Sequence, residues 1–397
     1  MPSLIACVAG EPSGDLLAAE LISGLKKHPS FLQSDFFGIG GPRMKELGFE
    51  SSWPMEALSV RGYVEVLSNV RKILNIRREL MTRIEQERPS VFIGIDAPDF
   101  NHAIEKKCRK IRIPTVHYIS PSIWAWRGYR IFGIKKAVDH MLCIFPFEPR
   151  IYHEVGMKAT YVGHPLANKI PLKPNPVEAK KQLFVRGLLQ YGEVAEGETL
   201  VAVLPGSRAS EIEYIAKGFF DAMLIMHKTH GKKIRFLTPV ATPSLRAPLE
   251  ALKKEALDKS ADIQIELITE NSSLILESAD TVLIASGTAT LEAALWKKPM
   301  VISYTVPWLT AQIMKRQGYL PYVGLPNILC QNFVVPELLQ EEAKPEVLAR
   351  GTLEWLDHPS QVAELVEIFE ELHEVLRKPT GELAAQAIAD TIATYPQ

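Results

Sequence analysis

Along the chain, short runs of aliphatic and β-branched residues alternate with longer stretches whose apolar positions recur at helical spacing. That alternation is the signature of βαβ units around a parallel sheet. In the first half the predicted strands are residues 4–9, 36–39, 91–95, 114–119, 141–145 and 160–162. They are continuously apolar rather than alternating, as strands are when helices cover both faces of their sheet. Between them, Leu17, Leu21, Ile22 and Leu25 share one face of a predicted helix over 16–25, and Ile73, Ile76, Leu80 and Ile84 share a face of another over 73–84. The rhythm breaks at Pro165, Pro171, Pro174 and Pro176, a linker with few apolar residues to bury. It resumes with predicted strands at 200–204, 235–238, 263–268, 281–285 and 300–304, separated by helical patterns such as 211–226 and 244–257. The tail, 360–376 and 382–393, is helical and charged, without a strand of its own. The fold class is therefore α/β, with two doubly wound domains and parallel sheets facing a cleft, where ligands of such folds bind. The expected domains are 1–168 and 169–358, with C-terminal helices over 359–397 packing back on the body or onto a partner.

A chain of 397 residues is long enough for two full cores. Its 45 basic and 46 acidic side chains nearly cancel, and 47% of residues are hydrophobic, which excludes disorder and a global nucleic-acid field. No nucleic-acid partner is expected. Cys7, Cys108, Cys143 and Cys330 are far apart and form no CxxC pair, so neither a thiolate metal site nor a redox dithiol is expected, and a reducing compartment fits. The apolar run at the N-terminus lacks a basic flank and is too short for a secretory segment, so it reads as a first buried strand. Prolines interrupt the long uncharged windows between 299 and 336 too often for a membrane-spanning helix. Residues 60–78 combine a dense apolar set with five basic residues and one acid, which suits either an ordinary core helix or an interfacial element on an anionic membrane.

Candidate chemistry sits at strand ends. The first strand runs into Gly10-Glu11-Pro12-Ser13-Gly14-Asp15, a glycine-containing turn into a helix. Its two carboxylates would repel a phosphate, so a sugar hydroxyl suits it better, unless Ser13 or Asp15 merely caps the helix. Asp96 follows the strand 91–95, and a partly desolvated Asp at a sheet edge is a general-base candidate; alternatively it caps the turn that Pro98 shapes. Ser120-Pro121-Ser122-Ile123-Trp124-Ala125-Trp126-Arg127 offers Trp126 to a sugar or lipid face and Arg127 to a phosphate, or else a buried Trp pair with a surface Arg. In the second half, Pro205-Gly206-Ser207-Arg208 places an arginine where a strand meets a helix, a site for a diphosphate. Ser286-Gly287-Thr288 opens another helix whose N-terminus suits a diphosphate, with Glu292 one turn in and able to accept from ribose hydroxyls. Gly324-Leu325-Pro326-Asn327 adds a proline-shaped loop. The chain contains no D-x-D and no H-E-x-x-H, so no metal and no cofactor are expected, and Arg208 with a helix terminus is left to neutralise a leaving nucleotide.

In this order, residues 10–15, 95–101, 120–127, Gly163-His164-Pro165, 204–208, 285–292 and 325–327 resemble the motif series of the lipid-A-disaccharide synthase family over nearly the entire chain. The resemblance implies a glycosyltransferase of the GT-B fold, built from two Rossmann-like domains. It implies that UDP-2,3-diacylglucosamine and 2,3-diacylglucosamine 1-phosphate are joined with inversion into the β-1,6-linked disaccharide 1-phosphate, releasing UDP. By the same resemblance Asp96 would deprotonate the acceptor 6-hydroxyl, alone or with Glu11; Glu11, Ser13 and Asp15 would lie on the acceptor side. Arg208, Ser286, Gly287, Thr288, Glu292 and Asn327 would hold UDP and the donor. The family acts peripherally at the cytoplasmic face of the Gram-negative inner membrane, and its C-terminal helices form a swapped homodimer. This chain departs from the family's usual motifs at Pro12 and Asn168. The alternatives are a UDP-sugar 2-epimerase, a transferase with a soluble acceptor, or a non-catalytic UDP- and lipid-binding protein.

Overall fold

Continuous β-branched and aliphatic runs become strands where helices can cover both of their faces. A computed structural model describes residues 3–58, 63–307 and 320–396, leaving out the side chains of residues 12, 56 and 63–70. It divides into two compact units, Met1–Asn168 with Val375–Gln397, and Lys169–Glu374.

The first unit holds a seven-stranded parallel sheet in the order β3-β2-β1-β4-β5-β6-β7. The strands are β1 (Leu4–Ala9), β2 (Asp35–Ile39), β3 (Phe49–Trp53), β4 (Val91–Ile95), β5 (Thr115–Tyr118), β6 (His140–Cys143) and β7 (Lys158–Tyr161). β1 lies between β2 and β4, with Ile5 opposite both Phe36 and Val91, so the strand order reverses between β1 and β4. Open parallel sheets bind ligands at such a reversal. The edge strand β3 escaped the sequence pattern because Glu50, Ser51 and Ser52 leave it without an apolar run. The helix Pro12–Leu25 starts with a proline in its first turn, where a missing N–H costs nothing. In the helix Tyr63–Glu87, Ile76, Leu80 and Ile84 are buried as their spacing predicts, while Arg71, Lys72 and Leu74 are exposed. Most of the 60–78 segment singled out as a possible interfacial element lies outside the described residues or side chains. Among the described residues no helix is long and apolar enough to cross a membrane.

The last helix, Thr380–Ala393, packs on Pro12–Leu25 within this unit. The two approach through a glycine pair, since a Cβ on Gly24 would collide with the backbone of Gly381. Where the chain leaves this unit and where it returns are joined by hydrogen bonds. The Asn168 amide donates to the Lys378 carbonyl at 2.8 Å and to Thr380 Oγ1 at 3.1 Å, and the His164 N–H donates to the Leu376 carbonyl at 2.9 Å. An aspartate at 168 would have no N–H for that carbonyl.

The loop after β5 is held from below by Glu148, a nearly fully buried carboxylate. It accepts from Trp124 Nε1 at 3.0 Å and from the Ile144 and Phe145 amides at 3.1 and 3.0 Å. Trp124 meets Phe147 and Phe145 edge-on, and Phe145 stacks on the buried His164 ring at 5.6 Å.

The second unit holds a six-stranded parallel sheet in the order β10-β9-β8-β11-β12-β13. Its strands are β8 (Thr199–Leu204), β9 (Ile234–Val240), β10 (Gln264–Thr269), β11 (Thr281–Ala285), β12 (Met300–Tyr304) and β13 (Glu337–Leu339). β13, only three residues long, is too short to show a pattern. Arg235 is fully buried; it reaches both oxygens of Glu198 at 2.9 and 3.2 Å and the Gly192 carbonyl at 2.7 Å, so every part of its charge is spoken for.

Two outcomes follow for the first unit. Gly24→Ala is expected to destabilise it by about 1–3 kcal/mol through overpacking against Gly381, read from urea unfolding. Burial pushes the Glu148 carboxyl up from 4.5 to about 7, against the opposing pull of the Phe145, Trp124 and Ile144 N–H groups. A pKa raised in the fold contributes stability that is present at low pH and lost as the group ionises. The melting temperature of wild type relative to Glu148→Gln is therefore expected to fall as pH rises from about 4.5 to about 7.

Candidate functional site

In the first unit the turns after β1 and β4 lie side by side, because those strands are neighbours. A Cβ on Gly10 would sit 3.3 Å from the Ala97 Cβ. Glu11 is the N-cap residue of Pro12–Leu25, in extended conformation and without a side-chain cap bond, and both Glu11 and Ser13 are exposed. Asp15 is different. It is buried, and its oxygens accept from the amides of Gly41 at 2.9 Å, Arg43 at 3.1 Å and Met44 at 3.1 Å. Its carboxylate thus caps the short helix Pro42–Glu46 from a neighbouring element, satisfying N–H groups that this helix cannot satisfy itself.

Asp96 is half-buried at the carboxyl end of β4. Both Asp96 (φ 51°) and Ala97 (φ 42°) are left-handed, two consecutive non-glycine residues in a conformation costing about 1 kcal/mol or more each. The Asp96 N–H donates to the Tyr118 carbonyl of β5 at 3.0 Å, and Asn101 Nδ2 donates to the Asp96 carbonyl at 2.8 Å. The helix Pro98–Lys110 follows directly. In the loop after β5, Trp126 is 45% exposed and carries the Arg127 guanidinium over its ring at 4.3 Å. Tyr129 and Phe132 are exposed beyond it, and Arg130 ties the segment to Asp99 at 2.5 Å.

In the second unit, Arg208 follows β8 and begins the helix Ala209–Glu211, with its side chain 77% exposed and a long 3.5 Å contact to Glu211. Glu211 accepts from the Ser207 and Arg208 amides at 2.7 and 3.1 Å, fixing the turn from which Arg208 projects. A π-helical turn, Ile212–Ala216, follows; such turns recur at functional sites. After β11, Gly287 and Thr288 are exposed at the start of the helix Thr288–Leu295, and Ser286 Oγ donates to the Val323 carbonyl at 3.0 Å. Glu292 accepts from Ser273 Oγ at 2.5 Å; burial raises its pKa, opposed by Ser273 and Trp296. Asn327 is fully buried, and its amide is used within the fold. It accepts from the Val334 and Val335 amides at 2.9 and 3.0 Å and donates to the Val335 carbonyl and Glu337 at 2.9 and 2.8 Å. Glu337 in turn accepts from the Val323 and Gly324 amides, both at 2.9 Å.

One cluster has no counterpart in the sequence motifs. Glu105, fully buried beneath the Asp96 turn, holds His117 Nδ1 on one oxygen and His102 Nδ1 on the other, both at 2.6 Å. The two rings lie 4.6 Å apart, close in space although distant in sequence. Among the described residues this is the group whose possible metal-ligand atoms gather within 4.8 Å of one another. Both oxygens are at hydrogen-bond distance from an imidazole nitrogen, the arrangement of a shared-proton network. The available signals were a polar His117 inside an apolar strand and a His102–Glu105 pair at i, i+3 spacing.

The model of the lipid-A-disaccharide synthetase family matches residues 5–390. A lipid-A-disaccharide synthase of Burkholderia mallei (strain SAVP1) is 52% identical over 392 residues, covering 98% of this chain and 97% of the relative. One from Paraburkholderia phymatum is 53% identical over 393 residues, with the same coverage of each chain. Among solved structures, UDP-GlcNAc 2-epimerase of Neisseria meningitidis superposes with a TM-score of 0.60 at 12% identity, covering 98% of this chain and 99% of its own. MurG of Acinetobacter baumannii does so with a TM-score of 0.57 at 13% identity and the same coverage of each chain. At those identities the likeness concerns the fold alone, which is GT-B. With its strand-end motifs falling inside a family match that spans both sheets, the chain belongs to the lipid-A-disaccharide synthase family of glycosyltransferases.

Proposed function

We propose that this protein transfers the 2,3-diacylglucosamine of its UDP derivative to the 6-hydroxyl of 2,3-diacylglucosamine 1-phosphate, with inversion at the anomeric carbon. Asp96 is the general base. As the acceptor oxygen attacks the anomeric carbon, its proton passes to the Asp96 carboxylate, and the bond to the UDP phosphate oxygen breaks. Proton removal in step with attack is where a positioned carboxylate helps most. The observation that carries this reading is the strained turn after β4, which keeps a half-buried carboxylate at the sheet edge at a cost in backbone energy.

Arg208 and the amides at the start of Thr288–Leu295 neutralise the diphosphate as it leaves, the charge-assisted pairing that guanidinium and helix N-termini supply. Ser286, Gly287 and Thr288 line the nucleotide, and Glu292 accepts from the ribose. Asn327 contributes by fixing the loop beside them. On the acceptor side Glu11 and Ser13 meet the sugar while Asp15 holds their neighbouring turn, and Trp126 and Arg127 meet acyl chain and phosphate. The protein works peripherally at the cytoplasmic face of the inner membrane, as a homodimer. The exposed Trp126, Tyr129 and Phe132 among arginines support a lipid-facing first unit.

Asp96→Asn is expected to lower kcat by about 100-fold or more while leaving UDP affinity unchanged, measured by UDP release in detergent micelles and by calorimetry. Comparable turnover would remove Asp96 from the base role. Arg208→Ala is expected to weaken UDP binding by about tenfold or more, the worth of a hydrogen bond to a charged group. The wild-type assay itself discriminates among readings. Acceptor-dependent UDP release with a tetraacyl disaccharide phosphate in the mass spectrum supports the transferase. Epimer formed from UDP-N-acetylglucosamine alone would favour an epimerase, and UDP binding without turnover a non-catalytic role.

A further inference from the structure

The turn that presents Asp96 is clamped by two elements, and a single buried carboxylate joins them. From one side β5 takes the Asp96 N–H through the Tyr118 carbonyl. From the other the helix Pro98–Lys110 takes the Asp96 carbonyl through Asn101, whose amide also lies 3.4 Å from the Val8 and Ile95 carbonyls. One turn along that helix, Glu105 reaches His117, the residue before Tyr118 on β5. The same carboxylate binds His102 on its own helix. Space for this junction exists because residue 94 is a glycine. A Cβ there would collide with the Glu105 carboxylate and lie 2.9 Å from Asn101 Cβ and 3.0 Å from His117 Nδ1.

We propose that Glu105, with His117 and His102, is a positioning element for Asp96: it locks the helix bearing Asn101 to the strand bearing Tyr118, and so holds the left-handed turn in the geometry that proton transfer needs. The inference rests on the reading of Asp96 as base. A fully buried carboxylate between two imidazoles is a poor choice for stability alone, since a hydrophobic cluster of the same volume would pack without any desolvation cost. Burial works to raise the Glu105 pKa, yet the two imidazoles outweigh it and hold the group below the usual carboxylate range. Among the described residues, Nε2 of both histidines and Oδ1 of Asn101 are buried without hydrogen-bond partners, so the network spends polar atoms on the geometry of its other contacts. A 1 Å displacement of a catalytic group is enough to cost a large part of a rate.

The test is a double-mutant cycle with Asp96→Asn. Glu105→Gln keeps the shape of the side chain and removes its charge. It is expected to lower kcat by about 10- to 100-fold with KM little changed. In the Asp96→Asn background the same substitution is expected to have no further effect, because there is no base left to position. An equal loss in both backgrounds would mark Glu105 as a general structural residue and overturn the proposal, as would an unchanged kcat in Glu105→Gln alone. Should Glu105→Gln fail to fold by circular dichroism, Asn101→Ala, which removes the direct contact to the Asp96 carbonyl, runs the same cycle with the same two outcomes. Full turnover in Asp96→Asn alone would instead sink the base assignment, and with it the positioning role; this outcome is read from that single variant and is separate from the cycle.

Discussion

Every strand pairing in both sheets is parallel, and the chemistry of the molecule depends on that constraint. A parallel strand must hand the chain to a crossover before the next strand can begin, so the turns leaving the carboxyl ends of the strands collect along one edge of each sheet. In the first unit that edge holds the turns of Glu11 and Asp96 and the loop of Trp126; in the second it holds Arg208 and Ser286 to Thr288. Residues far apart in sequence become neighbours because β1 adjoins β4 and β8 adjoins β11.

Turns at such an edge are short, and their amides would be left unsatisfied without partners. The chain answers with carboxylates that bind backbone. Asp15 takes the amides of Gly41, Arg43 and Met44; Glu148 those of Ile144 and Phe145; Glu211 those of Ser207 and Arg208; Glu337 those of Val323 and Gly324. Each is a carboxyl group whose oxygens accept from two or more oriented N–H groups, which makes it a directional fastener. Exposed residues such as Arg208 and Ser13 project from turns that these anchored ones hold in place.

This division explains what could be read from the residues beforehand. The inner strands were legible because a strand covered on both faces must be apolar throughout, as Ile5 to Ala9 and Val91 to Ile95 are. β3 and β13 were not, since an edge strand needs only one partner and tolerates Glu50, Ser51 or Glu337. Among candidate site residues, polarity at a strand end pointed equally to Ser13, which is exposed, and to Asp15, whose oxygens the fold consumes. Sequence position alone does not distinguish a group that faces a ligand from one that caps a neighbour's helix. Glu105 and His117 were hidden for the opposite reason: their partners are set by the register of β4 on β5, which places Gly94 beside His117.

The Gly24–Gly381 crossing and the Asn168–Lys378 bond together make the first unit a discontinuous piece of chain, closed by residues 375–397. A ribosome delivers those residues after the whole of the second unit. The second unit, one uninterrupted stretch, has all its strands available before the first has the helix Thr380–Ala393, and the helix Pro12–Leu25 waits through the synthesis of the entire second unit with its glycine face uncovered. Loss of residues 375–397 therefore strikes the unit whose sheet was made before the second unit began.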